Sequence, residues 1–483
     1  MSEVNLKDRK EYIRSLKELD PDIYIFGEKI EDLTEHPMTK PHVESAALTY
    51  ELAHEPEYQE LMLADSHLFN EPINRFTHIH QSIEDLVKKV KMLRMIGQKT
   101  GSCFQRCVGF DAMNALYSTT YNMDAEEDTD YHSRFKDYLG YIQKNDLMVA
   151  GAMTDPKGER NKLPHEQKDP DLYLRIVEER EDGIVVRGAK LHMTGMVNSH
   201  EMIVMPTRKM TENDKEYAVS FSLPIDQDGV IHIFGRQTND LRKMEKEKLD
   251  QGNFKYGMVG GESLTVFNDV FVPRERVFMN RDHDFTGELV ETFSSYHRSN
   301  YGGCKVGISD IIIGAVSDLT MQLGTSDATH IQNKVAEMIR LTETLYTGSL
   351  ACSTEGSETS SGAYFIDPLL GNTVKLNTTE YIYEICRLAH DIAGGIVATL
   401  PSEKDLKDEE IGQYVQKYLQ ANTDYSSEER FKIIRLIENL TGGTALVESM
   451  HGAGSPQAQK IMLLRRANLK QKIQFAKELV SEE

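Results

Sequence analysis

LYLRIVEEREDGIVVRGAKLHM, residues 172–193, alternates apolar and polar side chains on both sides of an Asp182-Gly183 turn, the pattern of two paired β-strands. Just before it, TDPKGERNKLPHEQKDPD (154–171) is dense in turn formers. After it, YAVSFSL (217–223), GVIHIFG (229–235) and SLTVFNDVFVP (263–273) carry the β pattern on to Pro273.

The flanks have a different period. In SIEDLVKKVKMLRMIG (82–97), Ile83, Leu86, Val87, Val90 and Leu93 keep helical spacing behind a Ser82-x-x-Asp85 cap, and Gly97 reads as a stop. CVGFDAMNALYSTTY (107–121) predicts the next helix. Past residue 285, helical patterns resume in GISDIIIGAVSDLTMQL, IQNKVAEMIRLTETLY, TTEYIYEICRLAHDIAGG and SSEERFKIIRLIENL, the last behind a Ser426-x-x-Glu429 box. The expected fold class is α+β: a helical N-terminal domain over 1–147, a central β domain over 148–284 and a C-terminal helical bundle over 285–483.

Composition narrows the function. With 55 Lys and Arg against 77 Asp and Glu, the 483-residue chain has a formal net charge of −22, which disfavours nucleic acid and anionic membranes as partners. An anionic ligand needs a local basic pocket. No stretch approaches a membrane span, and MSEVNLKDRKEYIRSLKELD lacks the apolar core of a secretory signal, so a cytoplasmic protein with reduced thiols is expected.

Five cysteines remain to be explained: Cys103, Cys107, Cys304, Cys352 and Cys386. If residues 103–107 are helical, Cys103 and Cys107 share a face, which suits two ligands of one metal centre and equally two small buried hydrophobes. In SSYHRSNYGGCKVG (294–307), His297, Tyr301, Cys304 and Lys305 fall at helical offsets 0, 4, 7 and 8, a stripe poorly suited to an apolar core. Gly302-Gly303 costs helix stability and implies close approach of a bulky group. Three thiols and an imidazole can close either a zinc site or an iron–sulfur cluster, and the wide Cys-x3-Cys…His-x6-Cys spacing leans towards the cluster. GAMTDPKGER (151–160), LHMTGMVNSHE (191–201) and HGAGSPQAQK (451–460) can each hold a polar ring or a phosphate, or simply turn the chain.

FGEKIE, KTGSCFQRCVG, GAMTDPKG, QKDPDL, EDGIVVRGAK, YHRSNYGGCKVG, DIAGG and ESMHGAGSPQAQ, in this order and almost end to end, resemble the 4-hydroxyphenylacetate 3-hydroxylase group, and within it the 4-hydroxybutyryl-CoA dehydratase family. The resemblance implies an acyl-CoA dehydrogenase-like fold and a homotetramer built as a dimer of dimers, acting on a CoA-thioester substrate. It implies a [4Fe-4S] cluster on Cys103, Cys107, His297 and Cys304, and FAD held by Met153, Thr154, Asp155, Pro156, Lys157, Gly158, His192 and Thr194. Gly394, Gly395, Gly452, Gly454 and Ser455 are expected to contribute to the flavin site, across a subunit interface. Glu262, His297, Tyr301, Lys305 and Glu448 are the implied catalytic residues. The implied reaction is radical dehydration of 4-hydroxybutyryl-CoA to crotonyl-CoA, with isomerisation of vinylacetyl-CoA as a second activity. A reduced-flavin aromatic monooxygenase on the same scaffold, needing no thiols, and a non-enzymatic iron–sulfur or zinc protein are the alternatives.

Overall fold

A computed structural model describes residues 4–238, 240–245, 247–257 and 259–481. Setting aside short helices and two-stranded ladders, the N-terminal part contains α1 (Arg9–Lys17), α2 (Lys40–His54), α3 (Ile83–Thr100), α4 (Cys107–Glu126) and α5 (Tyr131–Lys144). This part, read from sequence as mainly helical, also supplies strands β1 (Asp22–Ile25) and β2 (Glu28–Lys29). The central strands are β3 (Val149–Ala152), β4 (Arg175–Arg180), β5 (Gly183–Thr194), β6 (Glu201–Val204), β7 (Val219–Pro224), β8 (Val230–Phe234), β9 (Glu262–Pro273) and β10 (Val277–Asn280). The helices that follow are α6 (Thr286–Ser299), α7 (Tyr301–Gln322), α8 (Thr329–Thr354), α9 (Pro368–Ala393), α10 (Ser427–Leu440) and α11 (Gly443–His451). Among the described residues no helix is long and apolar enough to cross a membrane.

The strands form two sheets. One has the order β2-β1-β8-β9-β5-β4 and the other β10-β7-β6-β3. The hairpin read from residues 172–193 is present, with Arg180 opposite Gly183, and β5 then pairs with β9 so that Thr194 stands opposite Glu262. Ile176, Val186, Met202, Val204, Leu223 and Val272 fill the space between the sheets, where Phe221 meets Phe267 edge-on at 6.1 Å. Each such buried aliphatic side chain contributes about 1.5–3 kcal/mol relative to exposure.

Helix α3 differs informatively from its reading. The Ser82 side chain caps it as expected, but it runs past Gly97 to Thr100 and ends on Gly101 with φ 57°. Gly97 is an approach point: a Cβ there would stand 2.7 Å from the Cys304 carbonyl oxygen and 3.2 Å from the Gly307 Cα. Gly303 likewise has room only for hydrogen beside Leu93 and Val90, and Gly302 beside Ser349 and Leu345. The glycine pair therefore admits neighbouring helices α3 and α8, where the sequence reading expected a bulky group. Arg94 pins the seam, donating to Asp310 of α7 at 2.9 Å and to Glu343 of α8 at 2.6 Å. Close contact between α3 and α7 brings the Cys103 loop and the Cys304 helix to one place.

Candidate active site

Helix α4 starts at Cys107, so Cys103 lies in the preceding loop and the pair does not share a helical face as the conditional reading had it. Gln105, with φ 69°, breaks the helix between them. The Cys103 carbonyl accepts hydrogen bonds from Ser45 Oγ at 3.1 Å and Gln105 Nε2 at 3.0 Å, fixing the loop. The His297-Tyr301-Cys304-Lys305 stripe forms as read. Asn300 keeps helical angles (φ −61°, ψ −28°), so α6 runs into α7 without changing direction and its side chains stay on one face.

All five cysteines are free. Cys103, Cys107 and Cys304 are mutual neighbours: Cys107 feels the charge of both other thiols. Burial pushes Cys103 up to about 12 and Cys304 to about 11, with Lys305 opposing both shifts. Three such thiols in one place are costly as anions unless a cation holds them. His297 Nδ1 lies 2.8 Å from the Asp111 carboxylate, which leaves Nε2 as the nitrogen for a ligand. Among the described residues no three His, Cys, Asp or Glu side chains already surround one ion. Three thiols and an imidazole nitrogen converging from a loop and from helices α4, α6 and α7 are a donor set that fits an iron–sulfur cluster. Cys352 and Cys386 sit in apolar clusters, as core.

Beside the thiols stands an acid–base group. Tyr301 Oη donates to Glu448 Oε1 at 2.9 Å, and the Lys305 ammonium meets Oε2. Burial alone would raise the Glu448 carboxyl, but Lys305 outweighs it and holds the group below its usual range. Burial pulls Lys305 down, and Glu448 and Cys304 more than restore it. Glu262 behaves oppositely: burial pushes it up to about 8, and among the described residues only Thr194 Oγ1 donates to its carboxyl, at 2.7 Å, leaving Oε1 buried without a partner. At neutral pH one carboxyl is thus ionised and the other protonated, the separation that acid and base roles require.

The expected flavin segments divide. Asp155 is turned inward on Lys190 at 2.9 Å, both almost fully buried, and Lys190 also donates to the Met153 and Met205 carbonyls. Asp155 therefore anchors the Met153–Gly158 loop, leaving Thr154, Pro156 and the backbone of Lys157 (φ 73°) and Gly158 (φ 49°) to shape its outer surface. Lys157 feels Arg160, Lys190 and Arg208, a basic pocket in an acidic chain. His192 feels both Lys157 and His451, so the loop and the HGAGSPQ segment face one space. Gly452 lies closer to the chemistry than to a phosphate: a Cβ there would come within 1.9 Å of Tyr301 Oη. Gly454 (φ 99°) packs on Arg298, and Ser455 is exposed at the start of the helix Pro456–Arg466. Gly394 and Gly395 are exposed at the far end of α9, roughly 28 Å along the axis from Lys375, which packs on Tyr301, so they do not join the site of their own chain.

Several residues here carried no signal in the sequence. Lys375 lies 4.2 Å over the Tyr301 ring and donates to the Ser449 and Met450 carbonyls at 2.6 and 3.2 Å, while burial pulls it down to about 7. Arg298 Nε donates to the Ala453 carbonyl at 3.0 Å. These two cations hold the Glu448 segment in place. Asp111 and Lys89 were equally silent, since a lone charged residue inside an apolar helical pattern reads as surface until its neighbours are known.

Models of the 4-hydroxyphenylacetate 3-hydroxylase N-terminal and C-terminal regions match residues 8–279 and 286–481. The 4-hydroxybutyryl-CoA dehydratase/vinylacetyl-CoA-Δ-isomerase of Clostridium aminobutyricum is 52% identical, covering 98% of this chain and 99% of the relative. The oxygenase component of 4-hydroxyphenylacetate 3-monooxygenase of a Geobacillus species is 28% identical over 90% of this chain and 87% of its own length. Among solved structures, an oxygen-tolerant archaeal 4-hydroxybutyryl-CoA dehydratase from N. maritimus superposes with TM-score 0.96 at 45% identity, covering 99% and 96% of the two chains. A 4-hydroxyphenylacetate 3-monooxygenase oxygenase component complexed with FAD superposes at 0.85 with 23% identity over 99% and 98%, a likeness of fold. The expected acyl-CoA dehydrogenase-like architecture is the one observed.

Proposed function

The chain belongs to the 4-hydroxyphenylacetate 3-hydroxylase family, beside its 4-hydroxybutyryl-CoA dehydratases, and from that premise we propose that it converts 4-hydroxybutyryl-CoA to crotonyl-CoA and isomerises vinylacetyl-CoA. We assign it FAD and a [4Fe-4S] cluster, the cluster on Cys103, Cys107, His297 and Cys304. The observation that carries the reading is the gathering of three thiols and His297 beside Glu448, Lys305 and Tyr301. A monooxygenase needs no such thiols, and a non-enzymatic iron–sulfur or zinc protein needs no Glu448–Glu262 pair.

The thioester acidifies the C2 proton of this substrate but not the one on C3, so two bases of different strength are needed. Bound FAD would borrow and return one electron, and a cluster iron would draw off the C4 hydroxyl as a Lewis acid. Glu448, kept ionised by Lys305, is the base for C2. His297 Nε2, which has a free lone pair only once it loosens from the iron, would then take the C3 proton, while Asp111 holds the other ring nitrogen. Protonated Glu262 can donate to the leaving hydroxyl, and Tyr301 orients Glu448. One of the two protons taken returns to C4 and the other reprotonates Glu262, so water leaves with no net oxidation.

For the flavin, Lys157, Arg160 and Arg208 supply positive charge for a pyrophosphate, and Thr154, His192 and Thr194 line the facing side. Exposed Gly394 and Gly395 serve a neighbouring subunit. Leu464, Leu469, Ile473, Phe475 and Leu479, exposed on the last helices, support assembly into a homotetramer, to be checked by light scattering. The reduced thiols fit a cytoplasmic location.

The decisive experiment is oxygen-free purification followed by iron, acid-labile sulfide, zinc and FAD determination per chain, then turnover of 4-hydroxybutyryl-CoA. About four irons, four sulfides and one FAD are expected. FAD without iron in protein never exposed to oxygen would favour the monooxygenase, and zinc without FAD would refute both enzyme readings.

A further inference from the structure

Asp111 is fully buried on α4, one turn beyond Cys107, and three groups converge on it. The Lys89 ammonium of α3 meets Oδ1, Asn300 Nδ2 donates to Oδ2 at 2.6 Å, and His297 Nδ1 lies 2.8 Å from Oδ2. Lys89 is itself 1% exposed and lies 5.1 and 5.2 Å from the Phe110 and Tyr296 ring centres, which also flank buried His80, so Asp111 is its counter-charge. An ammonium and an amide N–H both donate to this carboxylate, which makes it an acceptor, and the imidazole nitrogen facing it must therefore carry the hydrogen.

We propose that Asp111, held by Lys89 and Asn300, is the positioning residue that selects the Nδ1–H tautomer of His297 and turns Nε2 towards the metal. The inference rests on the reading of His297 as a cluster ligand. The ring has little other freedom: it stacks on Phe293 at 5.7 Å with 9° between planes and meets Tyr301 edge-on at 6.1 Å. These aromatic contacts set the plane of the imidazole but cannot tell one nitrogen from the other. Asp111 does that: at 2.8 Å its carboxylate is the nearer partner of Nδ1, while the Asn300 amide, 3.4 Å from the same nitrogen, gives its hydrogen to Oδ2, and the carboxylate–imidazole–metal arrangement is a general means of fixing a ligand's tautomer. Lys89 and Asn300 in turn keep the carboxylate from rotating away.

Asp111→Asn tests the assignment, because an amide can donate to Nδ1 and favour the opposite tautomer. That variant also leaves the Lys89 ammonium buried without a counter-charge, so Asp111→Asn/Lys89→Met is made beside it. Methionine fills the slot between Phe110 and Tyr296 without a charge. Thermal unfolding, iron release to a chelator and the Mössbauer signature of the histidine-ligated iron are measured on oxygen-free holoenzyme. The expected result is a double variant that unfolds near the wild-type temperature, loses iron about 10- to 100-fold faster and shows an altered signature at one iron. A folded double variant with wild-type release and an unchanged signature would overturn the assignment and leave the cluster reading standing. Wild-type protein without iron would overturn the cluster reading and this inference together.

Discussion

Gly452→Ala is a small change placed directly on the proposed chemistry. The backbone at Gly452 (φ −55°, ψ 139°) suits alanine, so no left-handed strain enters, and the stiffer unfolded chain would by itself stabilise the fold by about 0.4–1 kcal/mol. The new methyl would stand 1.9 Å from Tyr301 Oη and 2.9 Å from Glu448 Oε1. Real contacts of this kind stay above 3.0 Å, so the phenol must retreat by at least 3.0 − 1.9 = 1.1 Å. Its ring is confined by Lys375 and His297, which makes loss of the 2.9 Å hydrogen bond to Glu448 the accessible response. A hydrogen bond to a charged group is worth about 1.5–3 kcal/mol, and each 1.4 kcal/mol is tenfold, so kcat/KM should fall about 10- to 150-fold. The assay is oxygen-free initial-rate formation of crotonyl-CoA, with FAD, iron and unfolding temperature measured on the same sample. Tyr301→Phe removes the same hydrogen bond, so the two changes should be strongly non-additive. Activity within threefold of wild type, at unchanged cofactor content, would refute a role for the Tyr301–Glu448 contact in the reaction.

Lys305→Met removes the charge that holds Glu448 ionised, so burial then dominates and the acidic limb of the pH–rate profile should move to higher pH. Glu448, lowered in the folded protein, contributes stability that is present above the ordinary carboxylate range and lost as pH falls through its folded value, and this loss should vanish from acid-unfolding curves of the same variant. Glu262 has the opposite sign: its folded value is raised from 4.5 to about 8, so stability falls as pH rises through that window, and Glu262→Gln should flatten the slope of unfolding free energy between those limits. Lys375→Met frees the Ser449 and Met450 carbonyls and should speed hydrogen exchange across residues 443–452 with little change in α9. Gly307→Ala puts a methyl 2.3 Å from the Arg94 carbonyl oxygen, and forcing α3 from α7 should cost about 1–3 kcal/mol of stability and lower iron content, read by calorimetry and metal analysis.

Local patterning determined much of this protein. Period-two alternation over 172–193 and 263–273 and helical spacing in 82–97 and 307–323 depend only on neighbours along the chain, and strands and helices form there as read, the first helix running three residues past its expected stop. The stripe His297-Tyr301-Cys304-Lys305 was legible for the same reason: a continuous helix turns fixed spacing into a shared face. Gly97, Gly302 and Gly303 show where that logic stops. A missing side chain reads as a stop or a space, and only the packed structure reveals that α3, α7 and α8 occupy it. The thiols of Cys103 and Cys304 lie some two hundred positions apart, and no local rule brings them together; the contact of α3 with α7 does. The same holds for charge. Glu262 and Glu448 are identical in sequence chemistry, yet burial beside Thr194 keeps one protonated and Lys305 keeps the other ionised. Asp111, Lys89, Lys375 and Arg298 look like surface residues in the sequence and become site residues only because folding removes them from water and leaves each a single set of partners.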